Sequence, residues 1–265
     1  VIALDLSLVD PALILGLEVV GYTTFNDPEG PLPDLYGAAV DEYASEAMWV
    51  GDLLAPNLEL VAAAQPDLIL TSAVRHQAIR DELTAIAPTV MTDSAGAGWK
   101  ESLRLVAAAV GQTPDAEAAI ADYEARAAAL GTRINETHDD PTLSVVRFVD
   151  VIRLYQPNSF SGVVLTDVGL ARPDSQQLTD DFISVISEEE LAQADADFLV
   201  YAVFDDPAVT STVDQLVDSP LWTDLDAVAA GRAFPVADDR WMSGVGLFGA
   251  EAILEDLAEI FELES

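Results

Sequence analysis

Apolar and polar residues alternate along this chain in blocks that read as strand, helix, strand. Val1 to Asp5 predicts a strand, Asp10 to Leu17 a short helix closed near Gly16, and Val19 to Thr24 a second strand, the opening of a βαβ wind. Residues 25 to 48 are rich in Pro, Gly and Asp and predict an excursion over the surface. Regular structure then resumes with a strand at Asp67 to Ser72, a helix at Arg75 to Ile86, a strand at Thr89 to Thr92 and a helix at Trp99 to Gly111. From Pro114 to His138 the pattern changes. Ile120, Tyr123, Ala127, Leu130 and Ile134 recur at helical steps, with Thr113, Pro114 and Asp115 as the start signal. A helix of ~25 residues is ~37 Å long, more than one lobe needs, and predicts a strut. Strands are predicted again at Leu143 to Val149, Val151 to Tyr155 and Ala233 to Val236. Helices are predicted at Phe160 to Leu170 and Gly249 to Phe261.

One phrase occurs twice. Asn57-Leu58-Glu59-Leu60 precedes Pro66-Asp67-Leu68-Ile69-Leu70, and Ser187-Glu188-Glu189-Glu190-Leu191 precedes Ala196-Asp197-Phe198-Leu199-Val200. In each copy a glutamate opens a short helix and an aspartate eight residues later introduces an apolar strand of the kind buried in parallel sheets. The fold class expected is therefore α/β, two Rossmann-like lobes with parallel sheets joined by a single long backbone helix. The expected divisions are 1–112, 113–139 and 140–265, with a cleft between the lobes.

Composition narrows the partners. Of 265 residues, 47 are acidic and 11 basic, a formal charge of −36 that phosphate backbones and anionic membrane faces would repel. Nucleic acid is excluded on that ground. Hydrophobic residues make up 51% of the chain, so the charge is not that of a disordered polypeptide. Ten of the 11 basic residues are arginines, planar forks suited to oxygen anions. The absence of cysteine removes disulfides and thiolate chemistry. Apolar runs such as Leu60 to Ala64 and Leu105 to Val110 fall far short of the ~20 residues of a spanning helix. A start at Val1 directly into a strand suggests that an upstream segment, the place for an export signal, has been removed.

The repeated phrases and the long helix between them resemble the substrate-binding proteins of ABC importers for ferric siderophores, vitamin B12 or haem. The stretch from Val146-Arg147-Phe148 to Arg153-Leu154-Tyr155, followed by Ser159-Phe160-Ser161-Gly162 and Leu170-Ala171-Arg172-Pro173, is most similar to the siderophore branch. The resemblance spans essentially the whole chain. It implies a non-enzymatic, monomeric extracytoplasmic protein, tethered by a lipid on a cysteine outside this sequence, that hands a ferric siderophore to an ABC importer permease. Haem or a corrinoid is the alternative ligand. It also implies that Glu59 and Glu189 meet permease arginines, with Glu188 and Glu190 leaving the second position open by one residue. No cofactor is implied beyond iron carried within the ligand.

In α/β units ligands gather beyond the carboxyl ends of the strands. That rule selects Arg75, Arg147, Arg153 and Arg240 as candidate ligand contacts, and leaves Arg80, Arg104, Arg126 and Arg133 on helices. Tyr155, Trp49, Trp99 and Trp241 are candidates for an aromatic wall, with Arg75, Arg153 and Trp241 expected to converge. Guanidinium forks and aromatic faces suit the oxygen rim and apolar linkers of a ferric siderophore. Gly244-Val245-Gly246-Leu247-Phe248-Gly249 matches a dinucleotide fingerprint by pattern alone, because the chain ends before the strand and acid that the fingerprint requires. Two histidines, His76 and His138, do not make a three-histidine metal site. An enzyme of this sequence would need a serine, Ser72 for example, activated by His76.

Overall fold

The computed structural model describes residues 1–24, 32–93 and 96–263; part of the predicted excursion, 25–31, lies outside them. The chain divides into two compact units, Val1–Tyr123 with Ser243–Gly249, and Glu124–Met242 with Ala250–Ser265. The helix Thr113–His138 begins in the first unit and ends in the second.

Among the described residues the first unit holds six strands: β1 Ile2–Ala3, β2 Gly21–Thr24, β3 Met48–Asp52, β4 Ala55–Pro56, β5 Ile69–Ser72 and β6 Thr89–Thr92. Their order is β4-β3-β2-β1-β5-β6, and every pair is parallel except the β3/β4 hairpin. Helices cover both faces of such a sheet, so β1, β2 and β5 are buried at every residue. Strand β3 runs through Trp49, where the sequence predicted a loop or element end; its mix of Met, Trp, Gly and Asp carries no clean alternation. The first helix is Leu6–Ile14 rather than Asp10 to Leu17. Pro11 suggests a helix start, but the Asp5 side chain caps the backbone N–H of Ser7 and starts the helix a turn earlier. The predicted helix from Arg75 is broken into Ala73–His76, a 3₁₀ turn and Arg80–Ile86.

Asp10, displaced into that helix, has another role. Both its oxygens accept helix-starting N–H groups, from Leu247 at 2.8 Å and Phe248 at 2.9 Å, and so cap the closing helix Leu247–Ile260. Gly246 sits at φ +150°, and a Cβ there would lie 2.1 Å from the Asp10 carboxyl carbon. The glycine-rich run therefore serves the approach of a carboxylate to a helix N-terminus, not a nucleotide. Burial pushes the Asp10 carboxyl up to about 7, against the two N–H bonds that lower it.

The second unit holds β7 Leu143–Phe148, β8 Ile152–Tyr155, β9 Ile183–Ile186, β10 Phe198–Val203 and β11 Ala233–Pro235, in the order β11-β10-β7-β8-β9. Only β7, β10 and β11 are parallel; β7, β8 and β9 are antiparallel neighbours. The second sheet is thus mixed, parallel across β11, β10 and β7 and antiparallel beyond. Three residues between β7 and β8, closed by Val149 N–H to the Val151 carbonyl, permit a hairpin but no crossover. One face of this sheet packs Val146, Phe148, Leu154 and Leu199 against Leu191, Val213, Leu216 and Trp222. Within the long helix Gly131 has a packing reason: a Cβ there would lie 1.6 Å from the Val168 carbonyl oxygen. The repeated phrases fold alike at their starts, Asn57 capping Leu58–Ala63 and Ser187 capping the 3₁₀ helix Glu188–Ala194.

Candidate functional site

In the first unit the carboxyl ends of β1 and β5 bring Asp5, Ser72 and Arg75 together. Asp5 Oδ1 accepts from the Ser7 N–H at 3.0 Å and hydroxyl at 2.8 Å. Its Oδ2 meets Ser72 Oγ and Arg75 Nε, each at 3.4 Å. The Arg75 side chain is 37% exposed and bonds through Nε alone, leaving its terminal amino groups available to a ligand. Beside it His76 is buried. Its Nε2 donates to the Leu53 carbonyl at 2.8 Å, which accepts only, so Nδ1 is the acceptor for Thr71 Oγ1 at 2.6 Å. Burial, first among its influences, holds the imidazole below its ordinary range. Ser72 is bonded to Asp5, and both nitrogens of His76 are engaged elsewhere, so the serine–histidine pair of a hydrolase is not formed.

In the second unit Arg147 on β7 and Arg153 on β8 are direct cross-strand partners and therefore share a sheet face, with Tyr155 two residues further on the same face. Arg147 donates from Nε and Nη2 to the two oxygens of Asp238, at 2.6 and 2.7 Å, and from Nη1 to the Tyr155 hydroxyl at 3.1 Å. Its guanidinium carbon lies 5.6 Å from the Phe204 ring centre. Burial pulls the Arg147 pKa down, but Tyr155 and Asp238 together outweigh it and leave the guanidinium above its ordinary value. Arg153 is different. Its Nη2 is 3.7 Å from the exposed Asp150, and its buried Nε has no hydrogen-bond partner. Arg172 reaches the same strand from another direction, donating to the Tyr155 carbonyl and, at 2.9 Å, to Gln176 Oε1. It is 8% exposed, its Nε and Nη1 are unpartnered, and burial lowers its pKa to about 10, so it stays charged at neutral pH.

Three sequence candidates, Trp241, Arg240 and Trp99, are corrected. Trp241 is 0% exposed and donates Nε1 to Asp256 at 2.7 Å. Arg240 beside it holds the Ala252 carbonyl, Glu255 and Asp256, so both residues tie the chain to the closing helix rather than line a ligand face. Trp99 is buried edge-on to Tyr123 at 5.3 Å. Trp49 donates Nε1 to Thr24 Oγ1 at 3.1 Å and is only half buried, but it sits within β3. The predicted convergence of Trp241 with Arg75 and Arg153 fails on burial alone, since a large indole fills core volume before it lines a surface. Selecting arginines missed the acids that orient them, Asp5 and Asp238; both follow strand ends, the signal that could have found them. Glu59 and Glu189 are exposed, and each occupies the second position of its helix. Glu190 is turned back on Ser187, accepting from its N–H and its hydroxyl, each at 3.0 Å. Among the described residues no cluster of three or more acids and histidines is placed to hold a metal ion, and no helix is long and apolar enough to cross a membrane.

Two α/β units, oriented arginines at strand ends and a long connecting helix define a solute-binding class. The chain belongs to the periplasmic binding protein family, whose model matches residues 4–238. It is 36% identical over 216 residues to the "Probable siderophore-binding lipoprotein YfiY" of Bacillus subtilis, an alignment covering 78% of this chain and 66% of YfiY. It is 26% identical over 260 residues to the Fe(3+)-citrate-binding protein YfmC of the same organism, covering 97% of this chain and 79% of YfmC. Staphylococcus aureus SirA complexed with staphyloferrin B matches the fold with a TM-score of 0.87 at 27% identity, over 99% of this chain and 92% of SirA.

Proposed function

We propose that this protein captures a ferric siderophore outside the cytoplasm and delivers it to the permease of an ABC importer, without catalysing a reaction. The observation that carries the reading is Arg153, a guanidinium with a buried, unpartnered Nε beside the Arg147–Tyr155 pair, in a chain similar to siderophore-binding relatives. Unsatisfied guanidinium donors beside the carboxyl end of β7 suit the oxygen rim of an iron chelate. Arg75 supplies the same chemistry in the first unit. Iron is cargo within the chelate, and the protein holds no resident cofactor. YfiY is described as a lipoprotein, and a lipid anchor outside this sequence is part of the proposal.

Delivery rests on Glu59 and Glu189, exposed carboxylates at matching helix positions, which we assign to permease arginines. Glu190 is occupied by its cap, which favours Glu189 over it. The test is a fluorescence titration against a panel of ferric siderophores, haem and cobalamin. A ferric siderophore should bind with a Kd of about 1 μM or tighter, about −8 kcal/mol. Saturable binding of haem or cobalamin alone would replace the ligand, and no response to any of them would overturn the reading.

A further inference from the structure

We propose that β9 is a docking edge for an extended, basic-flanked segment of a partner protein, which pairs with it as an added strand of the second sheet. β9, Ile183–Ile186, is the outer strand of that sheet and pairs with β8 alone, in the antiparallel register Ile152↔Ile186 to Tyr155↔Ile183. The Gln156 N–H donates to the Phe182 carbonyl at 2.9 Å, so bonded pairs recur at Leu154/Ser184 and Ile152/Ile186. The N–H and C=O groups of Ile183 and Val185 therefore point away from β8, and among the described residues no other element bonds to them. The next outward N–H, that of Ser187, is closed by the Glu190 carboxylate at 3.0 Å. The open row is Ile183 and Val185.

The other sheet edges of this protein are closed. Proline, charge and bulges are the usual means of keeping a stray strand off an edge. β4 contains Pro56, β11 contains Pro235, and β6 follows Pro88 and leaves no residue exposed. β9 has none of these devices: Ile183-Ser184-Val185-Ile186 carries neither proline nor charge, and its register is regular throughout. Val185 within it and Phe182 just before it are each 57% exposed. A flat apolar edge of this kind is a template for another chain.

Charge selects the occupant. Asp180 and Asp181 precede Phe182 and Glu188 follows Ser187; all three are exposed, and among the described residues none is paired with a cation. A second copy of the chain laid antiparallel on β9 would set Asp180 and Asp181 of one copy against Glu188 of the other, and the net charge of −36 repels it at longer range. A segment with apolar residues beside Ile183 and Val185 and with lysine or arginine at both ends satisfies both features. Its backbone supplies the bonds that the edge offers, and its charges fix the register.

The probe is a synthetic peptide of alternating valine and threonine between paired lysines, titrated into the whole protein while amide hydrogen exchange is read residue by residue. Binding should saturate and should slow exchange of the Ile183 and Val185 amides at least about tenfold. Methylating the peptide nitrogens that face β9, or replacing its lysines with glutamates, should each weaken binding at least about tenfold. Val185→Pro, which removes an outward N–H that the fold does not use, should weaken it as much in a protein whose melting curve shows it folded. Asp180→Asn with Asp181→Asn, which leaves the strand untouched, should weaken it as well. Equal binding of the methylated peptide overturns strand pairing and leaves only attraction to an acidic surface. Equal binding of the glutamate-flanked peptide, or of the parent peptide to both variants, overturns the assignment, as does binding without protection of β9 or no binding at all. Ile183 and Val185 amides already protected in the free protein, with a dimer in sedimentation, would give the edge to a second copy and overturn it too.

Discussion

Replacing Arg147 with alanine tests whether the guanidinium is held for structure as well as for ligand. The Arg147 and Asp238 side chains are 14% and 15% exposed, between a surface pair worth 0.2–1 kcal/mol and a fully buried one whose breaking costs 3–5 kcal/mol. The single change leaves Asp238 half-dry without its two charge-assisted bonds, and also strips the Tyr155 hydroxyl of a donor and the Phe204 ring of its cation. A loss of about 2 kcal/mol in unfolding free energy is expected, between those limits. Arg147→Ala combined with Asp238→Asn removes the carboxylate charge that Arg147 had neutralised and should recover about half of it. Urea unfolding of the parent, both single variants and the double variant closes the cycle. Strict additivity of the two single changes would refute the coupling and make the pair a surface contact.

Three further outcomes follow from particular contacts. Gly131→Ala gains ~1 kcal/mol of helix propensity, but its Cβ would meet the Val168 carbonyl at 1.6 Å. Overpacking of about 1–3 kcal/mol or more should win, and a higher melting temperature would contradict it. The Asp10 carboxyl is raised to about 7 in the fold from 3.8, so the native state binds the extra proton between those values. Its contribution is therefore full below about pH 4 and is lost as pH rises through about 7. The parent should lose a few kcal/mol relative to Asp10→Asn across that window, and parallel stability–pH curves would refute it. Glu59→Lys with Glu189→Lys should spare ligand affinity and abolish iron uptake, each like-charge contact costing several kcal/mol at the permease; normal uptake would remove the docking role.

The long helix was legible because its apolar spacing is purely local; Gly111 closes the helix before it where the expected helix ended, and Gly169, in the same left-handed conformation, stops the next helix one residue short of the expected end at Leu170. Strands β3 and β9 were not foreseen: β9 is an edge strand and β3 a mixed one, so neither buries a clean face. The antiparallel half of the second sheet was encoded in a three-residue turn that the parallel βαβ expectation overrode. At the candidate site, strand-end position selected Arg75, Arg147, Arg153 and Tyr155 as candidates, a matter of local sequence. Whether an indole lies inside or outside depends on which helix covers it, and the Trp241–Asp256 and Arg240–Glu255 contacts with the closing helix join residues 15 apart through tertiary packing.

The most direct measurement is a crystal structure of the protein with a bound ferric chelate, located by the anomalous signal of iron. The account predicts a ligand oxygen on the Arg153 guanidinium at about 2.7–2.9 Å, the length of a charge-assisted bond, with the Arg147–Asp238 pair intact beside it. Iron bound away from β7 and β8, with no ligand oxygen on the Arg153 guanidinium, would contradict it.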